Sequence, residues 1–222
     1  MTINTSDQPR AAGALLIAAS ALSVFGMLHH PTAQGDGLQR VQNLAAIGPF
    51  AADVHAALVA VMLMQMIGYA GLATRLGGQR LVVQGAFLAQ AAGAMALTGA
   101  AAINGFALAA QARRLLAAGY ILPEQYQPTI WALFGQARAL EQLGTGAWAI
   151  ALLLWGLAVW PQQRWLGLLT LPLALVPLAG GLGLLPLGVV GFGAVVAAQG
   201  IWAVAAGTQL LRGQLGAPHT AP

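Results

Sequence analysis

Of the 222 residues, 59% are hydrophobic and only 6% are charged, against roughly 25% charged in a soluble domain, so an ordinary soluble fold is excluded. All nine basic residues are arginine, and the net charge of +4 carries no basic patch with interleaved aromatics, which excludes nucleic acid as a partner. With no cysteine in the chain, disulfides, thiolate metal ligands and cysteine nucleophiles are excluded too.

Residues 1–10 are polar. The first apolar run, Ala11–Leu28, is 18 residues long and is followed by His29-His30-Pro31. It is longer than the apolar core of a secretory signal and lacks a small-residue cleavage site, so it reads as a retained first span. A polar stretch follows, His29 to Phe50, with a short helix expected around Leu38–Ala46. The second span runs from Asp53 or Val54 to Ala73 and is interrupted only by His55 and Gln65. Thr74–Arg80, with Gly77-Gly78 and two arginines, is a tight turn.

The third run, Leu81–Ala110, has 30 residues. As a helix it measures about 45 Å, more than the roughly 30 Å hydrocarbon core, so it must tilt, protrude or bend, and Asn104-Gly105 is the natural place to bend. Arg113 and Arg114 close it, and Leu115–Gln127 reads as a connecting loop. Pro128 suits the first turn of a helix that passes through Thr129–Gln142 into a fourth span, Leu143–Trp160. Pro161 breaks it. The apolar tract 165–211 is 47 residues, too long for one crossing, and Gly180-Gly181 with Pro186 divides it into Trp165–Ala179 and Leu187–Leu211. Pro172 and Pro177 are expected to distort the fifth span.

The fold class is therefore all-α: a polytopic transmembrane bundle of about six spans. Residues 11–211 form one six-helix domain between a polar N-terminal segment (1–10) and a polar tail (212–222), with both termini on the same side. That side carries Arg10, Arg75, Arg80, Arg164 and Arg212; the other carries Arg40, Arg113, Arg114 and Arg138. The small arginine excess places the termini in the cytoplasm, with Trp155, Trp160 and Trp165 as an aromatic belt there.

Helices in lipid associate through small residues and close contact. Ala89, Gly93, Ala96 and Ala100 form one such stripe on the third span, and Gly193, Ala197, Gly200 and Gly207 another on the sixth. Either stripe serves packing within the chain or against a second copy. Gln84 and Gln90 read as buried interhelical glue.

Polar residues inside a membrane are the default functional candidates, because exposing them to lipid is costly. His29, His30 and His55 fall at one end of the first two spans, with Asp53 beside His55. Imidazoles there suit haem or a transition metal, or they cap helix ends and meet water. Arg138 and Glu141, three apart, share a helical face; with Asn104, His55 and Asp53 they outline a polar pocket open to the non-cytoplasmic face. Such a pocket holds a small solute, a lipid headgroup or a quinone, or it is a structural network pinning helices. His55, Met62, Gln65 or Met66, and Tyr69 make a stripe compatible with a copper path, although methionines at that spacing are commonly core filler.

No hydrolase elbow, phosphate loop, zinc-protease helix motif or dinucleotide fingerprint occurs, so nucleotides are not expected as partners and no enzymatic activity is assigned. Membrane lipids are the expected surroundings, with a second copy or another membrane protein as further partners. The leading expectation is a small-solute-binding, lipid-binding or accessory membrane subunit. A haem, quinone or metal redox protein, and a small transporter or channel, are the alternatives.

The histidine pair before Pro31, Val54-His55, the segment Ala110–Leu115 with its paired arginines, and Gly144–Trp155 resemble features of a group of bacterial multi-spanning inner-membrane proteins with no established activity. The resemblance implies architecture and bacterial origin only, and the all-arginine, alanine-rich usage fits a GC-rich genome.

Overall fold

The computed structural model describes residues 8–216, which are largely helical with no strand among them. The helices are α1 (Gln8–Leu28), α2 (Gly37–Arg75), α3 (Leu81–Ala102), α4 (Leu108–Ala117), α5 (Pro123–Val159), α6 (Arg164–Gly181) and α7 (Val189–Leu211). A π-helical turn, Ile103–Ala107, joins α3 to α4 without a break. The seven α-helices thus make six rods, each long and apolar enough to cross a membrane, and the protein is a multi-pass, all-α membrane bundle. The rods alternate in direction, so α1 begins and α7 ends at the same end.

Each rod packs on the next, and the last returns to the first: α1 on α2, α2 on α3 and α4, α3 on α5, α5 on α6, α6 on α7, and α7 on α1. The result is a closed ring of helices. Where lipid and protein are equally apolar, close backbone approach supplies much of the attraction, and glycines mark the crossings. A Cβ on Gly13 would stand 2.6 Å from the Gly207 carbonyl oxygen, and one on Gly207 would stand 2.7 Å from that of Gly13, which fixes the α1–α7 crossing. At the α3–α5 crossing a Cβ on Gly93 would strike the Trp148 ring, and one on Gly144 would lie 2.6 Å from Leu97. Of the remaining small residues proposed for packing, Gly200 faces Ser20, Ala100 is buried, and Ala89, Ala96 and Ala197 are half-buried. Gly193 has open space where its side chain would be.

Two elements are longer than the sequence predicts. The helix α2 begins at Gly37, joining the short helix expected around Leu38–Ala46 to the second span, because Val41, Leu44, Gly48, Ala51 and His55 recur every three or four residues and are all buried on one face. The helix α5 begins with Pro123 in its first turn, where the missing N–H costs nothing, and the backbone N–H groups of Ile121 and Leu122 donate to Gln125 Oε1 at 3.2 and 3.1 Å. The expected loop 115–127 thereby contracts to residues 118–122, turning on Gly119 at φ +73°. The extensions hold each other through Val41, Leu44, Leu108, Ala112, Leu115, Tyr126 and Ile130. Arg113 lies across Gly48, in the space a Cβ would need.

Toward the end where α1 begins, the ring is filled. Tyr69, Trp155 and Trp202, all fully buried, stack with centroids 5.5–6.3 Å apart. Trp155 is thus a core residue and not part of an aromatic belt, whereas Trp160 and Trp165 are partly exposed. Of the two glutamines expected inside, Gln90 is buried and Gln84 is exposed. The other half of the ring is hollow.

Candidate functional site

The hollow is a cavity of about 650 Å³, at the end where α1 finishes and α2 starts. Its walls are largely apolar, with Leu58, Leu97, Phe192 and Val196 among them, and its polar groups gather at the mouth and at the floor.

At the mouth, the segment after α1 folds back so that His30 meets His55 of α2, Nε2 to Nε2, at 3.2 Å. His55 is 4% exposed, and its Nδ1 lies 2.7 Å from the carbonyl oxygen of Ala51, one turn earlier. A carbonyl only accepts, so Nδ1 carries the proton and Nε2 presents its lone pair. In the neutral pair His30 Nε2–H therefore donates to His55 Nε2. His30 Nδ1 is then a bare acceptor, buried and without a hydrogen-bond partner among the described residues. Burial, and secondarily the neighbouring His55, holds the His30 pKa below its ordinary value.

The π-turn supplies the opposite wall. Such turns, which insert an extra residue into a helix, are frequent at functional sites. Here the turn sets Gly105 against His55, where a Cβ would come within 2.5 Å of His55 Cβ. It also aims the adjacent Asn104 at α5, where Asn104 Nδ2 donates to Glu141 Oε1 at 3.0 Å. Arg138, nearly one turn before Glu141, lines the same cavity, and the Arg40 guanidinium sits 5.1 Å above the Phe134 ring at its rim.

The floor is a polar bridge across three helices. Gln199 Nε2 donates to the Trp148 carbonyl at 3.2 Å, and Gln199 Oε1 faces the Tyr69 hydroxyl at 3.5 Å. Gln65 is buried beside them. Tyr69 itself belongs to the aromatic stack, so the floor of the cavity is also the top of the filled half.

Of the pocket residues predicted from sequence, His55, Asn104, Arg138 and Glu141 line this one cavity, while Asp53 is exposed and outside its lining. Of the three histidines, His30 and His55 touch. His29 points away: it is exposed, and its Nδ1 lies 2.9 Å from the Phe25 carbonyl of its own helix. No three metal-ligating side chains among His, Cys, Asp and Glu converge among the described residues. On the methionine stripe, Met62 lines the cavity and takes a 3.8 Å contact from the Thr98 hydroxyl. Sequence reasoning passed over Gln199 and Arg40. An uncharged glutamine in an apolar span was the available signal for the first; the second lies in the helix expected around Leu38–Ala46, and the unforeseen fusion of that helix with the second span carries it into the site.

Comparison with protein-family models, curated proteins and solved structures finds no match for this chain.

Proposed function

We propose that this is a ligand-holding protein of a bacterial inner membrane, one that binds a small amphipathic molecule such as a lipid or quinone in the cavity. The observation that carries the reading is the division of the ring into a filled half and a hollow half. A chamber of about 650 Å³ lies within the range of roughly 300–1,000 Å³ typical of small-molecule sites. Its apolar walls suit a hydrocarbon body. The head would lie at the mouth, where Arg138 and Asn104 donate and Glu141 accepts.

The arginine balance supports termini in the cytoplasm and a mouth on the opposite face. A channel or carrier fits less well, because the Tyr69–Trp155–Trp202 stack and the Gln199 bridge would both have to part to open a path. The reading carries no catalytic role, and it leaves room for a second copy or another membrane protein on the outer faces of the ring.

The test is mass spectrometry of the protein purified in mild detergent and released intact. The wild type is expected to carry one amphiphile per chain, and Ala101→Phe, which fills the cavity from its wall, to lose it. Wild type and variant that are equally empty, or equally loaded, would overturn the reading. An ultraviolet–visible spectrum of the same sample tests the haem alternative through its Soret band.

A further inference from the structure

We infer that His30 and His55 form a two-histidine site for a late first-row divalent cation of the zinc class, with its open coordination positions facing the cavity. Two imidazole–zinc bonds of about 2.0–2.1 Å meeting near the tetrahedral angle hold their nitrogens about 3.3 Å apart. The two Nε2 atoms are 3.2 Å apart, the spacing that two ligands to one ion require.

His55 has the form that a ligand needs. Its Nδ1–H is held by the Ala51 carbonyl at 2.7 Å, the outer-shell hydrogen bond that fixes the tautomer and aim of metal-bound histidines, and its Nε2 lone pair is directed at His30. Gly105 makes room for the ring at that setting.

The charge around the site is mixed. Glu141 on α5, held by Asn104 of the π-turn, lines the same cavity and offers a carboxylate, while Arg138 on α5 and Arg40 on α2 are the cations nearby. Two protein nitrogens leave at least two coordination positions for water or for a ligand oxygen. Nitrogen and oxygen donors without thiolate select zinc, nickel or copper(II) over copper(I). The site stands apart from the amphiphile reading, because the ion needs the two imidazoles and not the apolar walls.

The experiment uses full-length, tag-free protein in detergent, titrated with Zn²⁺ by calorimetry and with Co²⁺ by visible absorption. One ion per chain with tetrahedral cobalt bands is expected. His30→Ala and His55→Ala should each weaken binding by at least about 100-fold, the upper end of what loss of a mere supporting group costs. His29→Ala, which alters the adjacent exposed ring, should bind as the wild type does. Metal-free melting curves identify any variant that fails to fold; His30 lies outside the helices, so its variant carries the test if His55→Ala is lost. A wild type that binds no ion, or an ion retained by the His30 variant, would overturn the proposal. Ala101→Phe separates the two readings, since it should empty the cavity of amphiphile and leave Zn²⁺ binding unchanged.

Discussion

Gly105 has no side chain, and His55 occupies the space beside it. Gly105→Ala should therefore push His55 off its setting at a cost of about 1–3 kcal/mol, the range for overpacking a filled interior. A lowered melting temperature together with weakened Zn²⁺ binding would check it. Asn104 is the donor that holds Glu141 in place, and Asn104→Leu leaves a half-buried carboxylate without its partner. The expected loss is about 1–3 kcal/mol, read as a shift in thermal unfolding, with Glu141→Gln in the same background recovering part of it. Both residues lie in the same five-residue π-turn, so neither contact would survive its regularisation to α-helix. His55, Asn104, Arg138 and Glu141 were legible in the sequence because polar groups among apolar residues are driven toward the protein interior. The partner of His55 was not. His29 and His30 are adjacent and chemically identical, and only the path of the backbone after α1 decides which of them turns inward.

At the scale of the helices, the crossings rest on glycine pairs. Gly207→Leu should force α7 away from the Gly13 carbonyl, which lies 2.7 Å from where the new Cβ would be, and should lower stability by several kcal/mol or block folding, since here the obstacle is backbone and cannot rotate aside. Gly193→Leu, with open space around it, should change melting little. That contrast separates the two ends of a stripe which, in the sequence, looks uniform. The spans themselves were visible from apolar run length, but the extensions of α2 and α5 were not. A helix around Leu38–Ala46 was legible, but its fusion with the second span was not, and Leu115–Gln127 is polar enough to read as a loop; the helices extend into both stretches because α2, α4 and α5 continue to pack on one another through Val41, Leu108 and Tyr126. Tertiary contacts of this kind routinely override local propensity.

At the scale of the whole molecule, the closed ring is filled in one half and hollow in the other, and the boundary is the Tyr69–Trp155–Trp202 stack. Trp155→Ala should cost about 3–5 kcal/mol, as for other large-to-small core changes, measured by unfolding in detergent. A cysteine-free chain also allows the hollow to be mapped directly. Phe134→Cys at the mouth should react with a water-soluble maleimide, whereas Ala203→Cys, fully buried in the filled half, should not. In membrane vesicles of known orientation, the same Phe134→Cys reaction reports which face the mouth opens to.

The sequence by itself determined that there are six rods and that they alternate in direction. Each crossing must satisfy its own backbone hydrogen bonds as a helix and must be apolar for about twenty residues, and both conditions are written in the order of residues. Only the tertiary structure decided that the rods close into a ring, that Trp155 turns inward while Trp160 stays partly exposed, and that His30 reaches His55 across a cavity. In water an apolar face identifies the inside of a helix. In lipid both faces are apolar, so which one meets a neighbour depends on where small residues allow two backbones to approach, and that is a property of pairs of helices brought together in space.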